Sequence, residues 1–106
     1  MEITNSKKNN WLVLNIEGRL DTVTAPDFDK YIATVDNSEV NIALEMSALS
    51  YLSSAGLRCL LKLSKALSAK NGSLVLASPT EMVQEVLEES GLDSLLDIVD
   101  SVDDLK

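Results

Sequence analysis

The sequence predicts an α/β domain, with a small mixed β-sheet of about four to five strands and helices packed against it. Short segments of β-forming residues alternate with segments whose apolar side chains recur at helical spacing. Strands separated in this way pair in parallel through crossover connections. A chain of 106 residues has room for one such domain and no second. We therefore expect residues 1–106 to fold as one unit.

The strands are predicted from apolar patterns and the turn residues between them. The predicted strands are residues around Ile3, 11–16, 41–46, 74–77 and 95–99, with a brief closing helix at 102–105. Residues 11–16 are rich in β-formers and are expected to end before Gly18. Residues 41–46 alternate in polarity, which predicts one face better buried than the other. Residues 74–77 are uniformly apolar, as is typical of a central strand.

Three helices are predicted between these strands. They are expected to run from Pro26 to about 36–37, from the serine pair 53–54 to about 70–72, and from about 78–81 to 91. Thr24 is the expected N-cap of the first helix, with Pro26 in its first turn. Asn71 or Gly72 suits a left-handed cap after the second helix, and Gly91 ends the third.

The charge balance and the absence of histidine exclude several classes of function. Seventeen acidic residues against nine basic ones give a net charge of -8. Nucleic-acid phosphates need clustered Lys and Arg, and anionic lipid needs the same, so neither is an expected partner. Without histidine the chain can form no Ser-His or Cys-His nucleophile system and no His-based metal site. We expect no catalytic residue, no metal and no cofactor.

The cysteine content and the lack of targeting signals indicate a cytoplasmic protein. The single cysteine, Cys59, cannot form an internal disulfide, which fits a reducing compartment. It is expected to be a small, partly buried filler rather than a redox centre. Residues 1–5 show no signal-peptide pattern, and no apolar run approaches the roughly 18 residues of a membrane span.

Charge is distributed unevenly along the chain. Residues 80–106 contain nine of the seventeen acidic residues and a single base, Lys106. This acidity is typical of a solvated face that aids solubility. Arg58, Lys62 and Lys65 form a basic stripe on the second predicted helix, opposite its leucines. On sequence alone, that stripe indicates the solvated side of an amphipathic helix.

The most informative stretch leads from the third predicted strand into the second helix, where two hydroxyls, Ser53 and Ser54, stand at the helix start. The simplest interpretation is that one of them is an N-cap that accepts a hydrogen bond from a backbone N–H. Ala55 and Gly56 are small, so a bulky partner could approach the backbone there. Leu57 is expected either in the core or near the rim of such a contact.

Three patterns then occur in order: Gly-Arg-Leu-Asp at 18–21, the strand and loop at 44–52, and Ser-Ser-Ala-Gly-Leu at 53–57. At this spacing and chain length they resemble the STAS domain, the module of bacterial anti-sigma-factor antagonists. The resemblance covers nearly the whole chain. It implies a STAS-like fold and a bacterial regulator of transcription that works by partner switching.

In that family the phosphorylated serine follows an aspartate, in a motif close to Asp-Ser-Ser/Thr-Gly-Leu. The resemblance places the modified hydroxyl on Ser54, with Ser53 as the second choice. Ser53 stands where the motif has aspartate, and Ala55 where it has Ser or Thr. Asp21 matches the acidic residue of the family's early loop, which lies beside the serine. Asp21, Ser53, Ala55 and Gly56 are therefore expected to shape the site.

The resemblance also implies the partners. The unphosphorylated form would bind an anti-sigma factor that is also a serine kinase, and so free the sigma factor. Phosphorylation at Ser54 would abolish this binding, and a PPM-type phosphatase would restore it. Leu57, Arg58 and Lys62 are the expected contacts with the anti-sigma factor.

Two alternatives remain. The chain could be an unphosphorylated STAS subunit of a lipid-transport or sensory complex, because the aspartate before Ser54 is replaced. A receiver-like domain or a small enzyme is disfavoured, since the third predicted strand ends in Glu45-Met46-Ser47 and offers no acceptor aspartate. A hydrolase would also need a base for its serine, and the usual histidine is absent, so Lys62 or Lys65 on a solvated helix face is a disfavoured choice.

Overall fold

The computed structural model, which describes residues 1–105, contains six strands and three α-helices. The elements are β1 (Glu2–Lys8), β2 (Trp11–Leu20), α1 (Ala25–Thr34), β3 (Asn41–Glu45), β4 (Leu49–Leu52), α2 (Ser54–Ser68), β5 (Ser73–Ala77), α3 (Glu81–Ser90) and β6 (Asp97–Val99), with 3-10 turns at Leu92–Ser94 and Val102–Asp104. The predicted mixed α/β architecture is confirmed, with six strands instead of four or five. None of the helices in the described part of the chain is long and apolar enough to span a membrane.

The sheet has one antiparallel edge, and its remaining pairs are parallel. Its strand order is β1-β2-β3-β5-β6, and β1 runs antiparallel to β2. The short β4 pairs in parallel with the last residues of β2. Strand β2 therefore lies beside β3 along its first half and beside β4 along its second. This arrangement places the loops that follow β2 and β4 next to each other.

Two expectations about this part of the sheet are wrong. Strand β2 does not end at Gly18 but continues to Leu20. Gly18 has a positive φ of 105°, and the pairing with β4 shifts between Gly18 and Arg19, so the glycine bends the strand without ending it. The segment expected to be a loop before the second helix contains β4. Its burial pattern does not alternate, so only its hydrogen bonds to β2 make it a strand.

The expected caps are present, although Thr24 lacks a side-chain hydrogen bond to the helix. Thr24 is the N-cap residue of α1, but its backbone angles are helical and its side chain does not accept from the first turn. The Asp21 carboxylate orders the turn before α1 instead, because it accepts from the N–H groups of Val23 and Thr24 at 3.0 and 3.1 Å. The left-handed residues after α2 and α3 are Asn71 and Gly91, as expected. Helices α1 and α2 end earlier than predicted, at residues 34 and 68.

The two faces of the sheet are covered differently. The main core lies between one face and the three helices, and its largest fully buried side chains include Phe28, Leu14, Ile16, Leu44, Leu60 and Leu76. Residues 100–105, which follow β6, are here called the C-terminal segment. On the other face of the sheet, Val13, Ala43 and Val75 pack beneath Leu105 of this segment. The last strand is shorter than expected and starts at Asp97, because residues 92–94 form a 3-10 turn and Leu95 after it still has helical backbone angles.

Candidate functional site

The carboxyl ends of β2 and β4 bring the early loop and the serine pair together. Leu20 lies opposite Leu52 in the parallel pairing, and the Ser53 N–H donates to the Leu20 carbonyl at 3.0 Å. Asp21 and Ser53 are therefore the first residues beyond two neighbouring strand ends. The juxtaposition of Asp21 with the serine pair, which the sequence could only indicate by resemblance, is a consequence of this register.

The two serines have different environments. Ser53 has extended backbone angles and is the N-cap of α2, since its Oγ accepts from the Gly56 N–H at 3.3 Å. Ser54 is the first helical residue and is exposed. Its hydroxyl forms no hydrogen bond with any residue from 1 to 105. The structural role of the pair thus belongs to Ser53, and the hydroxyl of Ser54 is free.

Ala55 and Gly56 are both buried, which contradicts the expectation that a partner could approach the backbone there. A Cβ added at Gly56 would lie 2.8 Å from the Leu20 carbonyl oxygen and 2.6 Å from Leu52 Cδ1. The lack of a side chain at Gly56 therefore lets the first turn of α2 sit closely on the ends of β2 and β4. Gly56 thus shapes the site by positioning the helix, whereas Ala55 also lines a hollow between α1 and α2.

The Asp21 carboxylate is held in place by several donors. Its pKa is lowered from its ordinary value, first by the hydrogen bond from the Thr24 N–H and further by Arg19 and the Val23 N–H, although partial desolvation opposes the shift. Arg19 Nε lies 3.3 Å from Asp21 Oδ2. At neutral pH the site therefore has a fixed negative charge in the loop next to the serine pair.

Sequence reasoning assigned no role to three exposed side chains near the same strand ends. Arg19 lies opposite Tyr51 in the β2–β4 pairing, and its Cζ is 4.2 Å from the centre of the Tyr51 ring. Val23, in the loop after β2, is 81% exposed. The proximity of Arg19 to Tyr51 depends on β4, and the sequence gave no periodic signal for that strand.

The predicted partner contacts lie along α2. Leu57 is half-buried and packs against the core, whereas Arg58 and Lys62 are exposed. Lys62 Nζ lies 3.6 Å from Asp29 Oδ2 of α1. Arg58, which is one turn beyond Ser54, forms no ion pair within the described residues. Both bases are available on the surface that continues from Ser54.

Cys59 is buried between α1 and α2, with its Sγ 3.8 Å from the Ala25 carbonyl oxygen. Burial, reinforced by the nearby Asp29 carboxylate, raises the pKa of its thiol to about 11. The thiol is therefore protonated at neutral pH and is not a nucleophile. Within residues 1–105, no three Cys, Asp or Glu side chains are grouped so that they could hold a metal ion.

The amino-acid sequence of this chain, compared with protein families and with known proteins, matches one family along nearly its whole length. The family model described as the STAS domain matches residues 2–105. The chain is 33% identical over 102 residues to BtrV of Bordetella bronchiseptica, which is provisionally named an anti-sigma factor antagonist. That match covers 95% of this chain and 88% of BtrV.

Solved structures share the fold. An anti-sigma factor antagonist from Mycobacterium paratuberculosis superposes with a TM-score of 0.85 at 24% identity, over 97% of this chain and 88% of that protein. The phosphorylated form of SpoIIAA, a Bacillus cell fate determinant, gives a TM-score of 0.70 at 20% identity, over 93% of this chain and 92% of SpoIIAA. The sheet order, the helix that starts at Ser54 and the family match lead to one conclusion: this chain belongs to the STAS domain family.

Proposed function

We propose that this protein is an anti-sigma-factor antagonist controlled by phosphorylation at Ser54. In its unmodified form it binds an anti-sigma factor that is also a serine kinase, and so releases a sigma factor. The observation that carries this proposal is that Ser53 and Ser54 have different roles. Ser53 caps α2, so a phosphoryl group on the exposed Ser54 leaves the cap intact. The relationship to BtrV and the existence of a phosphorylated SpoIIAA support it.

The local electrostatics explain how one phosphoryl group acts as a switch. A phosphoserine carries about −1.5 to −2 charges, which the N-terminus of a helix tolerates. The first turn of α2 contains no acidic residue that would oppose it. In an interface, however, the same charge is desolvated beside the ionised Asp21. An unpaired buried charge costs about 3–5 kcal/mol, which is a loss of affinity of about two to three and a half orders of magnitude.

The surface around Ser54 has the composition of a protein interface. Val23 and Tyr51 provide exposed apolar and aromatic groups, and Arg19 and Arg58 provide guanidinium groups. Aromatic residues and Arg are enriched at such surfaces. We propose this surface as the docking face, with Leu57 at its inner margin. A PPM-type phosphatase acting in the cytoplasm would return the chain to its binding form.

The test compares the affinities of variants for the cognate kinase-type anti-sigma factor. We expect Ser54→Ala to bind like the wild type and Ser54→Asp to bind at least 100-fold more weakly, since the interface must desolvate the new charge. Ser68→Asp is the matched control, because it introduces the same charge at an exposed serine at the other end of α2. Equal affinity of Ser54→Asp and Ser54→Ala would contradict the switch.

The site of modification is tested separately. After incubation with the kinase and ATP, mass spectrometry should find one phosphoryl group on Ser54 and none on Ser53.

A STAS subunit of a lipid-transport or sensory complex is the second candidate, favoured by Ser53 where the family motif has aspartate. The absence of phosphate from both serines after incubation with the kinase and ATP would support that second candidate.

A further inference from the structure

A groove between α1 and α2 begins beside the serine site. Two hollows of about 290 and 230 Å³ share Asp29, Cys59 and Lys62, so they form one continuous depression, here called the α1–α2 groove. Its near end is lined by Thr22 and Ala55, which lie next to the serine pair, and its far end by Leu63. From Ala55 to Leu63 the helix rises about 12 Å, which matches two turns of a second helix laid alongside.

The groove has an apolar floor. Phe28, Cys59 and Leu63 are buried at its base, with Ile32 half-buried and Ala33 exposed on the α1 side. A docking segment would therefore place two or three apolar side chains in it, at the spacing by which amphipathic helices occupy such grooves.

The rim of the groove on α2 is basic. Arg58 and Lys62 lie on this rim, and α2 has no acidic residue from 54 to 68, although the whole chain carries a net charge of -8. Arg58 has no ion-pair partner in the described chain, and Lys62 is 74% exposed beside Asp29. Asp29 lies on the α1 side of the groove and offsets part of this charge, so the excess that favours a carboxylate on a docking segment lies at Arg58.

We propose that the α1–α2 groove receives an acidic amphipathic helix of the anti-sigma partner, with apolar side chains on the floor and carboxylates against Arg58 and Lys62. The inference rests on the proposed function and names the element of the partner that docks. A second copy of this chain fits less well. Its own acidic helix, α3, has Val83 and Leu87 buried in its core and Val86 packed against that core, so most of its apolar stripe is already occupied.

The test uses two matched pairs of variants at exposed helix positions, with the cognate kinase-type anti-sigma factor as the probe. Ala33→Trp obstructs the groove and Ala66→Trp adds the same ring to α2 outside it. Lys62→Glu reverses a charge on the rim, and Lys65→Glu makes the same change at a residue that does not line the groove. We expect Ala33→Trp and Lys62→Glu to weaken binding at least tenfold, and the controls to remain within threefold of the wild type. Circular dichroism and thermal melting check that all four variants fold.

The outcomes separate this inference from the proposed function. If Ser54→Asp abolishes binding but both groove variants bind like the wild type, the groove proposal is overturned and the switch stands. If the unmodified chain does not bind the anti-sigma factor at all, both fail. If light scattering shows a dimer of the free chain that Ala33→Trp dissociates, the occupant is a second copy and the proposal is wrong.

Discussion

Asp21 combines a structural and an electrostatic role in a single carboxylate. It accepts hydrogen bonds from the N–H groups of Val23 and Thr24 and lies beside Arg19, so it orders the turn before α1 while remaining charged. The same charge would oppose a phosphoryl group on Ser54 at the start of α2. The residue therefore contributes to stability and to the proposed switch through different neighbours.

The lowered pKa of Asp21 gives the stability of the fold a predictable pH dependence. Because the folded state favours the ionised form, this contribution is present above the ordinary pKa of 3.8 and is lost as the pH falls through the lowered folded value. Asp21→Asn retains an acceptor oxygen for the two N–H groups but cannot ionise. We expect the difference in unfolding free energy between wild type and Asp21→Asn, measured by urea denaturation, to be constant from pH 7 to 5 and to shrink as the pH falls below about 4.

Asp36 provides a positive control, because hydrogen bonding from the Ser38 N–H also lowers its pKa. Asp36→Asn should show a pH dependence of the same sign. A wild-type advantage over Asp21→Asn that does not change with pH would contradict the assigned role of the Asp21 charge.

At the scale of elements, the contact between α2 and the strand ends decides where Ser54 lies. The start of α2 was predictable from the serine pair and the spacing of its leucines. The presence of β4 was not, because four residues with only Leu49 and Leu52 buried contain no strand period. For the same reason the burial of Gly56 could not be foreseen. Its neighbours, Leu20 and Leu52, lie on strands whose pairing exists only in the folded protein.

Gly56→Ala tests this contact. Alanine favours a helix over glycine by about 1 kcal/mol. The new Cβ would meet the Leu20 carbonyl oxygen, a backbone atom that cannot move aside as a side chain can. Overpacking of this kind costs about 1–3 kcal/mol, so we expect a net loss of stability in chemical denaturation. Ser68→Ala, at an exposed position of the same helix, should be neutral or slightly stabilising. A gain in stability for Gly56→Ala would show that the contact is loose.

At the scale of the whole molecule, the sheet is protected unequally. Three helices cover one face, whereas the C-terminal segment covers Val13, Ala43 and Val75 on the other through Leu105. An ion pair between Lys8 and Asp103, at 3.5 Å and exposed to solvent, adds little to this cover. The attachment of the C-terminal segment therefore depends mainly on apolar contact.

Leu105→Ala is expected to lower the free energy of unfolding by about 2 kcal/mol, at the low end for a buried leucine because its side chain is still 7% exposed. Leu95→Ala is the matched control, since the same atoms are removed from a side chain that is 71% exposed, and it should change stability by less than about 0.5 kcal/mol. Binding of a hydrophobic dye should rise only for Leu105→Ala. Equal losses in the two variants would show that the back face of the sheet does not need this cover.

The amino-acid sequence alone determined the fold class, the order of the main elements, the exclusion of histidine chemistry and the STAS resemblance that placed Ser54 at a helix start. These properties depend on composition and on the pattern of residues close together in the chain, and neither requires knowledge of which distant segments pack together. Only the tertiary structure decided that Asp21 caps the turn before α1, that Ser53 and not Ser54 caps α2, and that Arg19 stacks on Tyr51. Each of these depends on the register between strands or on backbone angles, and both are set by the packing of distant segments against one another.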